Sequence, residues 1–209
     1  MESALREGGR EPGLRLIETM LWDGERFPRI MRHLDRLNGA RARLGWTRPG
    51  IGFYWKCPLT LPDCSARIRL TVDATGKDEW QVSPMPPAKA EWRVGLAAER
   101  LRSGDPWLRV KSTKREVYDQ ARAALPEGLD EVLFLNERGE ICEGTITTVF
   151  FDRGQGMRTP PLSSGLLPGV LRAELGCPEE VLRAEHLPGT RLWVGNALRG
   201  LIPAVFILG

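Results

Sequence analysis

The apolar residues of the first part of the chain follow two different periods. Residues 14–22 mix Leu, Ile, Thr and Met as a half-buried strand does, and Asp23-Gly24 supplies a turn signal directly after them. Apolar residues then recur near helical spacing, at Leu34, Leu37, Ala40 and Leu44. Gly45 stands where a helix C-cap is expected. The pattern predicts a strand and hairpin, followed by an amphipathic helix from about Met31.

Two further strands precede a proline-rich stretch. Residues 66–72 alternate apolar and polar side chains with a period of two, and a second strand is predicted at 80–83. Residues 83–90 are rich in proline and lack periodic apolar residues, which is typical of a linker. We therefore expect a small N-terminal domain at residues 1–88 and a larger C-terminal domain at residues 89–209.

The second part of the chain mixes predicted strands with predicted helices. Strands are expected near residues 94–97, 131–135 and 145–151, around Val194, and in the apolar run at 204–208. Helices are expected at 115–124 and from about Gly169. The fold class is therefore α+β, with no internal repeat in the sequence.

Composition excludes several classes of protein. The 209 residues allow a sizeable core, and 30 Lys and Arg against 27 Asp and Glu leave a formal charge of +3. Basic residues are scattered singly, so we expect no nucleic-acid partner. The polar N-terminus and the lack of a long apolar run predict no membrane association and a cytoplasmic protein. The four cysteines form no CxxC pair, so we expect reduced thiols and no metal site.

Two segments with basic residues have an ordinary explanation when each is taken alone. His33-Leu-Asp-Arg36-Leu fits the solvated side of an amphipathic helix. Val110-Lys111-Ser-Thr-Lys114-Arg115 precedes a predicted helix and fits a charged surface. Neither segment predicts a function without the rest of the chain.

Two later segments carry stronger signals. The composition of residues 136–139 predicts a hairpin turn, and Glu143 then falls among strand-forming apolar residues, where a carboxylate is costly without a partner. Residues 159–169 form a Pro- and Gly-rich turn that opens into a helix. The unpaired N–H groups of such a helix start suit an anion, although an ordinary helix start would have the same sequence.

The order and spacing of these segments resemble the aminotransferase class IV family of pyridoxal-phosphate enzymes, fold type IV. That family includes branched-chain aminotransferase, D-amino-acid aminotransferase and aminodeoxychorismate lyase. The resemblance runs from Leu16 to Pro203, and its most specific parts are Asn136-x-x-Gly139-x-x-x-Glu143-Gly144, Thr159-Pro-Pro and Leu167-Pro168-Gly169. It implies a small α/β domain, a larger domain built on a β pseudo-barrel, pyridoxal 5'-phosphate as cofactor, a small-molecule amine substrate and a homodimer.

The resemblance also implies a role for each matching residue. Lys111 corresponds to the catalytic lysine that binds the cofactor covalently, and Glu143 to the carboxylate that pairs with the pyridine nitrogen. Arg36 corresponds to the arginine that contacts the cofactor phosphate. The backbone N–H groups of Val170 and Leu171 would complete the phosphate site.

Two positions depart from the family pattern. Asn196-Ala197 lies where the family makes a further cofactor contact, but Ala197 lacks the hydroxyl that many relatives have, which leaves a backbone contact. Lys114 stands where relatives often have Asn or Arg, so it is the alternative for covalent attachment. Lys114 and Arg115 could also supply the positive charge that keeps the amine of Lys111 neutral.

Within the family, the turn at residues 196–198 and the compact length resemble aminodeoxychorismate lyase more than the amino-acid aminotransferases. The first expectation is therefore conversion of 4-amino-4-deoxychorismate to 4-aminobenzoate and pyruvate, with Lys111 moving the proton. A branched-chain or D-amino-acid aminotransferase is the alternative, since it shares the core motifs. A third interpretation is a non-catalytic relative that binds the cofactor or a partner.

Overall fold

The computed structural model describes residues 2–46 and 57–208, and it divides the chain into two compact units. The first unit comprises Met1–Pro87 and Val110–Lys114, and the second comprises Ala88–Arg109 and Arg115–Gly209. The chain thus leaves the first unit within the proline-rich stretch predicted as a linker. The expected division at residues 88 and 89 keeps Val110–Lys114 with the C-terminal part, whereas the structure groups this segment with the first unit.

The first unit is built on an antiparallel sheet with strand order β1-β2-β3. Its helices and strands are, in chain order, α1 Glu2–Gly8, β1 Arg15–Trp22, α2 Ile30–Leu44, β2 Ala66–Asp73 and β3 Asp78–Pro84. The segment Val110–Lys114 joins this unit because it pairs with the outer edge of β1. Ile17 N donates to Lys111 O at 2.8 Å, and Thr113 N donates to Arg15 O at 2.8 Å.

The helix predicted from Met31 is confirmed, and it ends at Gly45, whose φ of 72° is the left-handed conformation that glycine tolerates. The predicted hairpin after β1 is wrong. The turn exists, since Asp23 Oδ1 accepts hydrogen bonds from the N–H groups of Glu25 and Arg26. It leads into α2, however, and β1 pairs with β2 much further along the chain.

The second unit is a closed barrel with strand order β4-β5-β6-β7-β8-β9. Its strands and longer helices are β4 Trp92–Leu101, α3 Glu116–Ala123, β5 Glu131–Asn136, β6 Ile141–Gly144, β7 Thr148–Asp152, α4 Val170–Leu175, β8 Arg191–Asn196 and β9 Gly200–Phe206. Strand β4 pairs in parallel with both β5 and β9, and the remaining neighbours are antiparallel. The predicted α+β class and pseudo-barrel are confirmed.

Strand β5 is buried on both faces, which explains its continuous apolar sequence. Leu133 and Leu135 belong to the cluster that fills the barrel, whereas Val132 and Phe134 pack on the other face with Ala121 of α3. The strand predicted at 145–151 begins only at Thr148. Residues 145–147 form a tight connection instead, because they bind the buried carboxylate of Glu131.

No helix in the described part of the chain, residues 2–46 and 57–208, is both long and apolar enough to cross a bilayer.

Candidate active site

Arg36 lies in a buried cluster with Glu18 and His33. Glu18, in the middle of β1, accepts hydrogen bonds from Nε and Nη2 of Arg36 and lies 2.6 Å from His33 Nδ1. Burial by itself would raise the pKa of the Glu18 carboxyl. The charge of Arg36 and the hydrogen bonds from both partners outweigh that effect and lower this pKa to about 2. The cluster therefore fixes the orientation of the Arg36 guanidinium.

Lys111 lies on the segment that extends the sheet of the first unit. Its carbonyl accepts the hydrogen bond from Ile17, and the neighbouring residue Ser112 bridges to Leu16. Because Ile17 and Glu18 are consecutive in β1, this strand links the Lys111 segment to the Arg36 cluster. Two of the candidate residues are thus positioned by the same short stretch of β1.

Lys114, the alternative to Lys111, lies in a different environment. Its Nζ is 2.7 Å from Glu11 Oε1, and the two side chains are 37% and 51% exposed. The Lys114 amine would have to leave this ion pair before it could react with an aldehyde. Arg115 is also paired, with Asp119 at 2.8 Å. Lys114 and Arg115 were expected to place positive charge near Lys111. Each of them is instead paired with a carboxylate.

Glu143 is a buried carboxylate with its own hydrogen-bond donors. Its side chain belongs to β6 in the barrel unit, and the residue is 7% exposed. The hydroxyl of Tyr118 donates to Glu143 Oε1 at 2.7 Å, and the N–H of Leu167 donates to the same oxygen at 3.2 Å. Hydrogen bonds to an ionised carboxylate offset the cost of its burial. The sequence indicated that a carboxylate at this position needs a hydrogen-bond partner. One donor comes from α3 and another from the loop before α4.

Val170 and Leu171 form the first turn of α4, and both are buried. Ala173 N donates to Gly169 O at the start of the helix, so the N–H groups before Ala173 have no partner within α4. A Cβ added at Gly169 would lie 2.7 Å from Thr148 Oγ1 of β7. The glycine therefore allows the helix start to approach the barrel wall closely.

Strand β8 comes equally close to α4. A Cβ added at Gly195 would lie 2.7 Å from Leu171 Cδ2 and 2.6 Å from Gly200 O. Strand pairing places Glu143 opposite Thr148, and Thr148 opposite Gly195. The carboxylate, the helix start and the end of β8 are consequently neighbours on the barrel.

Asn196 shapes the turn that follows β8 through its side chain. Asn196 Oδ1 accepts hydrogen bonds from the N–H groups of Leu198 and Arg199, and its Nδ2 donates to Ile146 O at 3.1 Å. Ala197 is buried in this turn. The predicted contact with the cofactor would therefore involve the backbone of this turn. The Asn196 side chain stabilises the turn itself.

Some residues at the site went unrecognised in the sequence. Glu18 and Glu131 are carboxylates within apolar strand sequence, which is the same signal that identified Glu143. Glu131 is fully buried and accepts hydrogen bonds from the hydroxyls of Thr145 and Thr147 as well as from backbone N–H groups. Tyr118 carries no comparable signal, because nothing in its helical position indicates which side chain its hydroxyl meets.

The residues present fit pyridoxal phosphate. Glu143 offers a buried anionic oxygen pair for a protonated ring nitrogen, and Lys111 offers a primary amine for an aldehyde. A guanidinium has five N–H donors, so the two that Arg36 uses on Glu18 leave capacity for a phosphate. In the ranges that the structure describes, no group of His, Cys, Asp and Glu side chains could hold a metal ion.

The mixed α+β architecture with a closed six-stranded barrel is that of the fold type IV aminotransferases. Residues 15–207 match the amino-transferase class IV family model, so the chain belongs to the aminotransferase class IV family. This is a family of enzymes that depend on pyridoxal phosphate.

Individual relatives carry the names of two different activities. A Schizosaccharomyces pombe protein provisionally named aminodeoxychorismate lyase is 32% identical over 208 residues, which covers 92% of this chain and 90% of the relative. A Mesorhizobium loti structure provisionally named amino-acid aminotransferase is 40% identical with a TM-score of 0.83, over 93% of this chain and 100% of that one. A Mycobacterium tuberculosis structure, described as a hypothetical aminotransferase with α-ketoglutarate and PMP bound, shares the fold at 19% identity, with a TM-score of 0.76 over 95% and 83% of the two chains.

Proposed function

We propose that this chain is a pyridoxal-phosphate-dependent 4-amino-4-deoxychorismate lyase that releases 4-aminobenzoate and pyruvate. The observation that carries the proposal is the similarity, over 92% of this chain, to a relative provisionally given that name, together with the buried carboxylate of Glu143 in this chain. The two products contain the same atoms as the substrate, so the reaction needs no second substrate. The chain has to bind one molecule and move one proton.

The candidate residues of this chain have separate roles in binding the cofactor. Arg36, oriented by Glu18, would contact the cofactor phosphate, as would the N–H groups of Val170 and Leu171. Glu143 would keep the ring nitrogen protonated. Bound pyridoxal phosphate would supply an electron-accepting ring.

Lys111 Nζ is the proposed base and acid. It takes the proton from the substrate ring carbon that bears the amino group, and it returns a proton to the methylene carbon of the departing enolpyruvyl group. Formation of the aromatic ring favours that departure. We also propose that the chain acts as a homodimer on this small-molecule amine.

An amino-acid aminotransferase is the second candidate. The Mesorhizobium loti relative, at 40% identity, favours it, and the same residues would serve it. Lys111 would again be the group that moves the proton, and a keto acid would be required as second substrate. The buried carboxylate of Glu143, held by two donors, weighs against the non-catalytic interpretation, because a site that only binds the cofactor has no need of a carboxylate that keeps the ring nitrogen protonated.

The experiment that separates the two activities is turnover without a keto acid. Purified protein is incubated with 4-amino-4-deoxychorismate at a cofactor concentration far below that of the product formed, with Lys111→Ala as the control. We expect sustained release of pyruvate and 4-aminobenzoate by the wild type alone. No turnover under these conditions, with rapid amino exchange between leucine or D-alanine and 2-oxoglutarate, would identify an aminotransferase.

A further inference from the structure

Tyr118 connects helix α3 to the carboxylate of Glu143 on β6. Its hydroxyl donates to Glu143 Oε1 at 2.7 Å, and the N–H of Leu167 donates to the same oxygen at 3.2 Å. Donors from two separate parts of the barrel unit thus converge on one carboxylate oxygen. A carboxylate held in this way has little freedom to rotate.

The ring of Tyr118 is held in place by its neighbours. It meets the fully buried ring of Phe134 edge-on, with the centroids 5.1 Å apart and the planes at 69°. The guanidinium of Arg115 lies 5.5 Å from the centroid of the Tyr118 ring. Arg115 itself bonds to Asp119 and to the carbonyl of Thr145. The direction of the Tyr118 hydroxyl is therefore set by packing that does not involve Glu143.

The hydroxyl acts as a donor and not as a base. Burial raises the pKa of Tyr118 above its ordinary value, and the negative charge of Glu143 raises this pKa further. The hydroxyl remains protonated at every pH at which the protein would be assayed. The Tyr118 hydroxyl is therefore a hydrogen-bond donor to Glu143, and its geometry supports a role in orienting that carboxylate.

We propose that Tyr118 is a positioning residue, which orients the Glu143 carboxylate for its contact with the ring nitrogen of the cofactor. The inference rests on the proposed function. It assigns to α3 a role in holding the Glu143 carboxylate, through the hydroxyl of Tyr118. A carboxylate that rotates away from the ring nitrogen would lower the rate of proton removal without changing how the phosphate is bound.

A double-mutant cycle with Tyr118→Phe and Glu143→Gln tests the proposal. Tyr118→Phe removes only the hydroxyl and keeps the ring that packs on Phe134. We expect kcat to fall roughly tenfold, the size expected when a hydrogen bond to a charged group is lost, while KM and the cofactor dissociation constant stay within about twofold. The absorption spectrum of the bound cofactor should shift toward that of Glu143→Gln. In the Glu143→Gln background, Tyr118→Phe should have almost no further effect on kcat.

Ser164→Ala is the matched control. The Ser164 hydroxyl is also buried in the barrel unit and donates to a different carboxylate, Glu140, at 2.9 Å. A general loss of barrel stability would lower the thermal midpoint of both Tyr118→Phe and Ser164→Ala, but only Tyr118→Phe should change the cofactor spectrum.

Two outcomes would overturn the inference while leaving the proposed function intact. One is an unchanged spectrum and kcat in Tyr118→Phe, and the other is a loss of kcat that is equally large with and without Glu143. If the wild type binds no pyridoxal phosphate, as judged by its absorption spectrum after incubation and dialysis, the proposed function and the inference both fail.

Discussion

Glu18, Glu131 and Glu143 are carboxylates in otherwise apolar strands, and each is held by at least two donors. Burying a carboxylate without hydrogen-bond donors would cost several kcal/mol of folding free energy, so the stability of the fold depends on these donors. The three groups serve different parts of the molecule. Glu18 orients Arg36, Glu131 fixes residues 145–147, and Glu143 lies beside the start of α4.

Substitution of Arg36 and Glu143 should produce different defects. Arg36→Ala removes the proposed phosphate contact, so we expect the cofactor dissociation constant to rise at least tenfold while kcat at saturating cofactor is largely retained. Glu143→Ala should lower kcat by a larger factor and leave cofactor binding less affected, because it changes the ring and not the phosphate site. The measurements are cofactor titration by absorbance and steady-state kinetics.

The outcome that would contradict these two roles is a crossed pattern. Excess cofactor would then restore the Glu143 variant fully and leave the Arg36 variant inactive. Glu18 would be the group to examine next, since its carboxylate is left buried without its guanidinium partner in Arg36→Ala.

Glu18 should make the stability of the protein depend on pH in the acid range. Its folded-state pKa, about 2, lies below the ordinary value of 4.5. The stabilisation is therefore fully present above pH 4.5 and is lost as the pH falls toward 2. Glu18→Gln should be less stable at neutral pH, by about 3–5 kcal/mol for a broken buried pair, and its unfolding free energy should change less between pH 4.5 and 2.

Denaturant unfolding at several pH values measures this effect. Glu140 supplies the comparison, because hydrogen bonds from Arg138, Asn136 and Ser164 also lower its pKa to about 2. The free energy of unfolding lost on acidification should be smaller in Glu18→Gln than in the wild type. Part of this loss should remain, because Glu140 also has a lowered pKa. Equal acid dependence in the wild type and Glu18→Gln would contradict the ion-pair account of the Arg36 cluster.

At the scale of elements, the close approach of α4 to β8 depends on Gly195. An alanine Cβ there would lie 2.6 Å from the carbonyl oxygen of Gly200, a backbone atom that cannot move without disturbing the β8–β9 pairing. We expect Gly195→Ala to cost about 1–3 kcal/mol and to weaken cofactor binding, since Leu171 is displaced as well. Thermal unfolding and cofactor titration measure the two effects.

Gly39→Ala provides the control for this substitution. Gly39 lies within α2, and apart from its chain neighbours and the backbone of its own helix, no heavy atom of the described residues lies within 4 Å of its added Cβ. Alanine is the better helix former, so this variant should be more stable by roughly 0.5–1 kcal/mol. A Gly195→Ala variant as stable as the wild type would show that α4 and β8 are further apart than described.

The elements that local sequence determines were the ones that could be predicted. The alternation at residues 66–72 identified β2, and the apolar stripe ending at Gly45 identified α2. The hairpin after Asp23 was wrong because a turn signal does not reveal where the chain goes next. The break between β6 and β7 was missed because it depends on Glu131, which is distant in sequence from residues 145–147.

The same reasoning applies to the candidate site. Glu143 was predictable from its apolar neighbours, whereas the pairing of the Lys111 segment with β1 was not, since it joins residues almost a hundred positions apart. The donor role of Tyr118 likewise depends on how α3 packs against the barrel. The family resemblance therefore supplied the candidate residues, and the structure supplies the contacts that hold them.

At the scale of the whole molecule, the candidate residues are distributed over both units of the chain. Arg36 and Lys111 belong to the first unit, and Glu143, Val170, Leu171, Asn196 and Ala197 belong to the second. Each unit contains an ionised group fixed by neighbours within that unit: Arg36 by Glu18, and Glu143 by Tyr118.

The identity of the residue that binds the cofactor covalently is the central claim, and reduction of the protein with borohydride in the presence of pyridoxal phosphate tests it most directly. The protein should be yellow before reduction, and peptide mapping by mass spectrometry should then find the pyridoxyl group on Lys111. Lys111→Ala, mapped in parallel, should carry no stoichiometric label. A label on Lys114 in the wild type, or no label on either lysine, would contradict the account.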